Sequence, residues 1–226
     1  MSSYFYNLLK QDFKIAFTKK VSLLNPLIFF LTIIFIFPFS VGPKPELLNK
    51  VIPAFILIGL LFAIILTTSN LFEDDYRDGT LEQLLLFGVS PYTIIINKIL
   101  YSWLITTVPI ILVLPLISLI FSVSNLVYFI IGIMLVSISV SLFNCFVAIL
   151  TINLQKNFAL ASLIILPFMV PFIIYAKAYF DILNYDFSRT NLFSSLCVLI
   201  GLLLIFLPLI IFFSGMLLKD SITQNR

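Results

Sequence analysis

Histidine is absent from the chain. That excludes a Ser–His–Asp triad, a histidine-ligated zinc and a histidine axial ligand to haem supplied by this chain alone. Cysteine is nearly absent. Cys145 and Cys197 lie in apolar runs, form no CxxC pair and read as buried, inert thiols. Charge is scarce too: 10% of the 226 residues are charged and 62% are hydrophobic, whereas a soluble domain is roughly a quarter charged. Lipid must therefore be part of this chain's solvent. A net charge of +3 is too small to point to nucleic acid, and no nucleic-acid partner is expected. None of the seven glycines opens GxxxxGK[ST], the loop whose backbone amides and lysine hold nucleotide phosphates. If ATP drives this protein, another chain binds it.

Long apolar runs are what the sequence does have. Five intervals contain no Asp, Glu, Lys or Arg: Val21–Pro43, Val51–Phe72, Ile99–Gln155, Asn157–Ala176 and Thr190–Leu218. A helix needs about 20 apolar residues to cross the hydrocarbon core. The 57-residue interval from Ile99 holds two such helices, divided at the turn-forming "SVSN" of Ser122–Asn125. Six spans are thus expected, over approximately 22–41, 51–71, 99–121, 126–150, 158–176 and 193–216. The runs do not alternate in polarity, so barrel strands are not indicated. The first apolar run is too long for a signal-peptide core and lacks a convincing cleavage site, so a retained first span is expected. No ionisable residue falls deep in these spans, which argues against a proton-coupled secondary transporter.

The few cations are distributed unevenly. Lys10, Lys14, Lys19, Lys20, Arg77, Lys98, Lys156, Lys219 and Arg226 fall on one side of a six-span topology, and Lys44, Lys50, Lys177 and Arg189 on the other. Nine against four places both termini in the cytoplasm by the positive-inside rule. The N-terminal segment has helical spacing of Phe5, Leu8, Leu9, Phe13, Ala16 and Phe17, with lysines mostly opposite and Asp12 intruding on the edge of the apolar face. An interfacial helix ahead of the first span fits this pattern.

Half of the acidic residues lie in "EDDYRDGTLEQLLLFGVSP", Glu73 to Pro91, between the second and third spans. Glu73, Asp74, Asp75 and Asp78 precede Gly79, which permits a sharp turn. Thr80 and Gln83 are spaced as a capping box, with Glu82 in the first turn where the helix dipole favours it. Leu81, Leu84 and Leu85, followed by Leu86, make an apolar stripe. Gly88 can close the helix in a left-handed cap, and Ser90–Pro91 can start the next one. Three readings of this short helix stay open on the residues alone: leucines resting on the bilayer, a carboxylate cluster for a cation, or a docking element for a soluble partner. EF-hand spacing and a paired base or nucleophile are both missing, which disfavours the cluster.

Within the spans, Pro109 and Pro115 in the third, Pro167 and Pro171 in the fifth and Pro208 in the sixth each remove a backbone hydrogen bond. They read as kinks or cavity walls, or as prolines that membrane helices ordinarily tolerate. Ser137, Ser141, Asn144, Cys145 and Ala148 share one face of the fourth span. Such a stripe usually marks close helix packing, a dimer seam or the bundle core, and a substrate site is the competing reading.

"LFEDDYRDGTLEQLLL" followed by "SP" and then "NKILYSWLITTVPIILVLPLISLIF" resembles the haem exporter protein B family, the membrane permease subunits of an ABC-type system in cytochrome c maturation. The resemblance extends to "NPLIFFLTIIFIFPFSVGPKPELLNKVIPAFILIGLLFA" and "ASLIILPFMVPFIIYA", from about Asn25 to Phe213. Three departures stand out. Ser69 and Asn70 occupy the place where the family commonly has an Asp before Leu–Phe. Ser102–Trp103–Leu104 stands for the family's His–Trp–Leu, and a Trp early in the second span is missing.

The resemblance implies an all-α integral membrane protein: six transmembrane helices in an ABC-2-type permease bundle, one membrane domain over 1–226, in the bacterial inner membrane or that of a bacterially derived organelle. It implies no catalytic, cofactor or metal residues in this chain, with haem as a ligand transported or handled by the assembly. It also implies an ATP-binding subunit on the cytoplasmic face, a homodimer or a pairing with another permease, haem-handling membrane partners and a periplasmic haem chaperone. In this light Glu73–Pro91 becomes the segment through which the ATPase grips the membrane chain, and Trp103 joins the candidate cavity residues. The rival reading is a structural anchor that organises the ATPase and its partners without a substrate path.

Overall fold

The computed structural model describes residues 2–18, 20–42, 45–67, 71–121, 125–152, 158–185 and 189–223. Among these, all regular structure is α-helical: α1 Ser2–Thr18, α2 Lys20–Val41, α3 Pro45–Ile65, α4 Glu73–Arg77, α5 Thr80–Leu86, α6 Pro91–Phe121, α7 Leu126–Leu150, α8 Phe158–Tyr185 and α9 Arg189–Thr223. Six of them, α2, α3 and α6 to α9, are long and apolar enough to cross a membrane.

The fourth span matches its expected range, Leu126–Leu150, whereas the others depart from theirs, mostly by running further. The second begins at Pro45 and ends at Ile65, not 71; the third begins at Pro91, not 99; the fifth runs to Tyr185 and the sixth covers Arg189–Thr223. Charges delimit apolar runs but do not end helices. Lys50 lies inside α3 and Lys98 inside α6, and α8 carries Lys177 and Asp181 as an i,i+4 pair at 2.6 Å. At about 1.5 Å per residue, the 31 residues of α6 far exceed the roughly 30 Å of hydrocarbon, so its end turns lie beyond it. Of the "SVSN" turn, Ser122–Ser124 fall outside the described residues. Asn125 adopts φ 55° and accepts the Phe129 N–H at the start of α7.

α7 is the centre of the bundle, packing against α3, α6, α8 and α9, while α2 pairs with α3. α9 is outermost: 11% of its span is buried, against 56% for α7. Cys145 is buried as expected, but Cys197 is exposed on α9, because an apolar run on an outer helix faces lipid and not the core. The small-residue stripe of α7 faces inward: Ser137, Ser141, Asn144, Cys145 and Ala148 are all buried within the single chain. The prolines lie inside continuous helices. Pro109 and Pro171 are half-buried, and Pro115, Pro167 and Pro208 exposed.

α1 is docked more than it floats. Ala16 is buried, Phe5, Leu8, Leu9 and Phe13 are half-buried, and Phe13 meets Tyr101 of α6 edge-on at 5.7 Å. Only Phe17, of the expected apolar face, is exposed.

One close approach makes a sharp prediction. A Cβ at Gly132 would lie 2.5 Å from Tyr179 Cε1 and 2.9 Å from Phe180 Cε1, and both rings are 0% exposed. Neither ring has room to yield, and the Tyr179 hydroxyl is tied to the Tyr128 carbonyl at 2.7 Å. Gly132→Ala is expected to destabilise the bundle by about 1–3 kcal/mol, as overpacking does. Gly215→Ala also meets a ring, that of Tyr92. Tyr92 is 40% exposed and can swing away, so this change is expected to be tolerated. Thermal unfolding of both variants in detergent checks the contrast.

Candidate functional site

Between α3 and α6 the chain makes a compact platform. Leu71 and Phe72 are buried at its base. α4 follows, with Glu73, Asp74 and Asp75 in its first turn, where the helix dipole favours acids. Its Arg77–Glu73 pair, at 3.8 Å with the arginine side chain 68% exposed, contributes little. Gly79, at φ 70°, makes the turn into α5.

The expected capping box is not formed. Gly79 is the N-cap, its carbonyl accepts the Gln83 N–H at 3.1 Å, and no side chain caps the helix. α5 thus starts one residue early. Thr80 becomes its first residue, Glu82 takes the third position, and Gln83 is displaced from the reach that a capping box requires. The C-terminal expectation fares better. Gly88, at φ 78°, donates to the Leu85 carbonyl at 3.0 Å, and Val89 donates to Leu84 at 3.1 Å. This pair of bonds is a Schellman closure. Ser90 Oγ then accepts the Thr93 N–H at 3.2 Å and lies 2.7 Å from Thr93 Oγ1, with Pro91 first in α6. Every residue joining α5 to α6 is held, so α5 is braced against the third span.

The leucines do not form one exposed stripe. Leu81 is 1% exposed, and Leu84 and Leu85 pack half-buried against the core. Leu86 and Phe87 are the exposed apolar pair, at 70% and 78%. Glu82 and Gln83, one turn back on α5, face solvent, as does Asp78 at the end of α4.

Asp75 does not belong to the solvated surface. Its Oδ2 lies 2.6 Å from Lys98 Nζ, and Asp12 Oδ1 lies 2.9 Å from the same nitrogen, with the lysine side chain 8% exposed. Asn97 Nδ2 adds a longer contact of 3.4 Å to Asp12 Oδ2. The place a cation would take between these carboxylates is filled by Lys98. Among the described residues no group of three His, Cys, Asp or Glu side chains is arranged to hold a metal ion. Sequence reasoning missed this cluster by counting Lys98 as a loop charge. The signal was present: Lys98 falls at helical spacing among Ile94, Ile95 and Ser102, on the face that is buried, and Asp12 interrupts the apolar face of α1. Two opposite charges, each stranded on an apolar face, point to each other.

Burial raises the Asp12 carboxyl above its ordinary value; Lys98 pulls it down and Asp75 pushes it up again. Burial is the largest of these effects, and Lys98 offsets only part of it. For an acid with a raised folded value, the contribution to stability is full below the unfolded pKa and is lost as pH rises through the folded one. The stability difference between wild type and Asp12→Asn is therefore expected to shift against wild type as pH rises through that window. Unfolding temperatures measured at a series of pH values test the sign.

A cavity of about 1000 Å³ opens between α1, α4 and α6, lined by Asp12, Asp75, Asp78, Lys98, Tyr101 and Thr67 among others. Pro109, Pro115, Pro167, Pro171 and Trp103 do not line it. At its inner end Asn144 Nδ2 donates to Thr67 Oγ1 at 3.1 Å, and Ser102 Oγ lies 3.3 Å from that oxygen and 3.5 Å from Asn144 Nδ2. Trp103 Nε1 donates to Ser137 Oγ at 2.9 Å. Ser141 Oγ is buried without a hydrogen-bond partner among the described residues. Of the polar run Thr67–Asn70, the last three residues, including the departures Ser69 and Asn70, lie outside the described residues. Ser102, where the family commonly has histidine, is fully buried in this polar knot.

Six apolar helices of spanning length, with short helices gathered at one end, define a multi-pass helical membrane protein. Residues 3–221 match the family described as CcmB protein. The chain is 33% identical over 177 residues to "Heme exporter protein B" of Haemophilus influenzae, covering 77% of this chain and 80% of that one. It is 31% identical over 176 residues to the protein of the same name from Pseudomonas aeruginosa, covering 77% and 79%, and 28% identical over 170 residues to that of Rhodobacter capsulatus, covering 74% and 78%. The chain belongs to the CcmB family.

Proposed function

We propose that this chain is the permease subunit of an ABC-type haem-export complex serving cytochrome c maturation, and that a separate ATP-binding subunit engages the tip of α5. The observation that carries the reading is the placement of Leu86 and Phe87. They are the exposed apolar pair of a helix keyed into the bundle through Leu81 and braced against α6. An apolar knob with the exposed Glu82 one turn behind it suits an apolar socket with a basic rim on a soluble partner. The family relationship supports the haem, and the lack of a P-loop motif in this sequence agrees with nucleotide binding by another subunit. The assembly sits in the bacterial inner membrane with both chain termini and α5 on the cytoplasmic side, in keeping with the lysine and arginine distribution. A second permease copy, haem-handling membrane proteins and a periplasmic haem chaperone complete it.

A second reading, the anchor without a substrate path, draws support from the interior. Ser137, Ser141 and Asn144 are each 0% exposed between packed helices. Purification of the complex from membranes carrying Leu86→Asp with Phe87→Asp tests the docking common to both readings. Loss of the ATP-binding subunit is expected; its retention refutes the proposal.

A further inference from the structure

The buried ammonium of Lys98 binds carboxylates from two separate elements. α1 packs chiefly on α6 and α2, and α4 chiefly on α5. The 2.6 Å Asp75–Lys98 pair ties α4 to the third span, and the 2.9 Å Asp12–Lys98 pair, with the longer Asn97–Asp12 contact, ties α1 to it. The lysine lies two turns into α6, directly beyond the braced α5–α6 junction. Tyr101, one turn further on, carries the Phe13 ring of α1 and stands 5.7 Å from the ammonium. Held in a largely desolvated place, such pairs are geometrically exacting, and either they are made or the element moves away.

We propose that Lys98 is a positioning residue that makes α1, α4 and α6 one mechanical unit, so that a displacement imposed at the α5 tip reaches the N-terminal helix as well as the third span. The source of that displacement rests on the docking reading above; the clasp itself does not. The two carboxylates leave the trio with one excess negative charge. Asp75→Asn removes the excess and keeps the Asp12–Lys98 pair neutral, so it frees α4 without stranding a charge. Asp12→Asn frees α1 in the same way. Lys98→Arg keeps a cation at the hub.

The test uses the full chain, with and without its ATP-binding subunit, carrying spin labels at Lys10→Cys and Arg77→Cys in a Cys197→Ser background. Lys10 and Arg77 are exposed, and the remaining Cys145 is buried. Electron–electron distance measurement between α1 and α4 is expected to give a narrow distribution in wild type and with Lys98→Arg. Asp75→Asn and Asp12→Asn are expected to broaden it while the ATP-binding subunit still co-purifies. ATP-driven haem movement should fall roughly 2- to 30-fold in the two asparagine variants, the range of single changes along a coupling network. Distributions as narrow as wild type in both asparagine variants overturn the clasp. Retention of the ATP-binding subunit by the Leu86→Asp, Phe87→Asp chain overturns the docking reading alone, so the two failures are separable.

Discussion

A chain carrying Leu86→Asp and Phe87→Asp is expected to reach the membrane folded and to lose the ATP-binding subunit proposed to dock on α5. Both side chains stand more than two-thirds out of the structure, so charging them disturbs little packing; surface changes of this kind usually cost about 0.5 kcal/mol or less. In an interface the same residues become anchors, and truncating a central apolar anchor costs about 2 kcal/mol or more. Two such losses, with two carboxylates added one turn from the exposed Glu82, weaken binding by roughly a thousandfold if they add. Weakening of that size is expected to release the subunit during purification. The neighbouring leucines make a poorer test. Leu84 and Leu85 are half-buried against the core and Leu81 is inside it, so aspartate there damages the membrane chain itself.

Lys98→Met is expected to be the most damaging single change to the fold described here. It leaves Asp12, whose side chain is 14% exposed, without its cation, and an orphaned buried charge costs about 3–5 kcal/mol. Asp75, at 21%, lies nearer to water and is relieved more easily. The mechanism makes a second demand. Adding Asp12→Asn and Asp75→Asn to Lys98→Met removes the stranded charges and is expected to recover most of the loss, since replacing a whole buried ion cluster is often close to neutral. Unfolding of the single and triple variants in detergent decides this. A triple variant no more stable than Lys98→Met would show that the lysine stem, and not its charge, holds the site.

The spans were legible in the sequence because hydrocarbon demands some 20 apolar residues per crossing, and that demand leaves little freedom. Their ends were not, because a helix continues for turns past the last apolar residue once its charges find partners, as Lys177 does in Asp181. Gly79, Gly88 and Ser90 were also legible: left-handed backbone and an N-cap hydroxyl are local demands met by local residues. The capping box at Thr80 and Gln83 failed on a choice between adjacent starts that local chemistry leaves nearly even. Which leucines of α5 face outward, and the pairing of Asp12 with Lys98 across 86 positions, depend on how α1, α4 and α6 come together. The misplaced charges gave notice of a partner, but only packing names it.

The measurement that bears most directly on the coupling account is ATP-driven haem movement in proteoliposomes holding the assembled complex. The wild-type chain should move haem only when ATP and the ATP-binding subunit are both present. The Leu86→Asp, Phe87→Asp chain should move none while remaining folded in the bilayer. Haem movement undiminished in that variant, or ATP turnover that sustains haem delivery with no haem crossing the bilayer, contradicts the account.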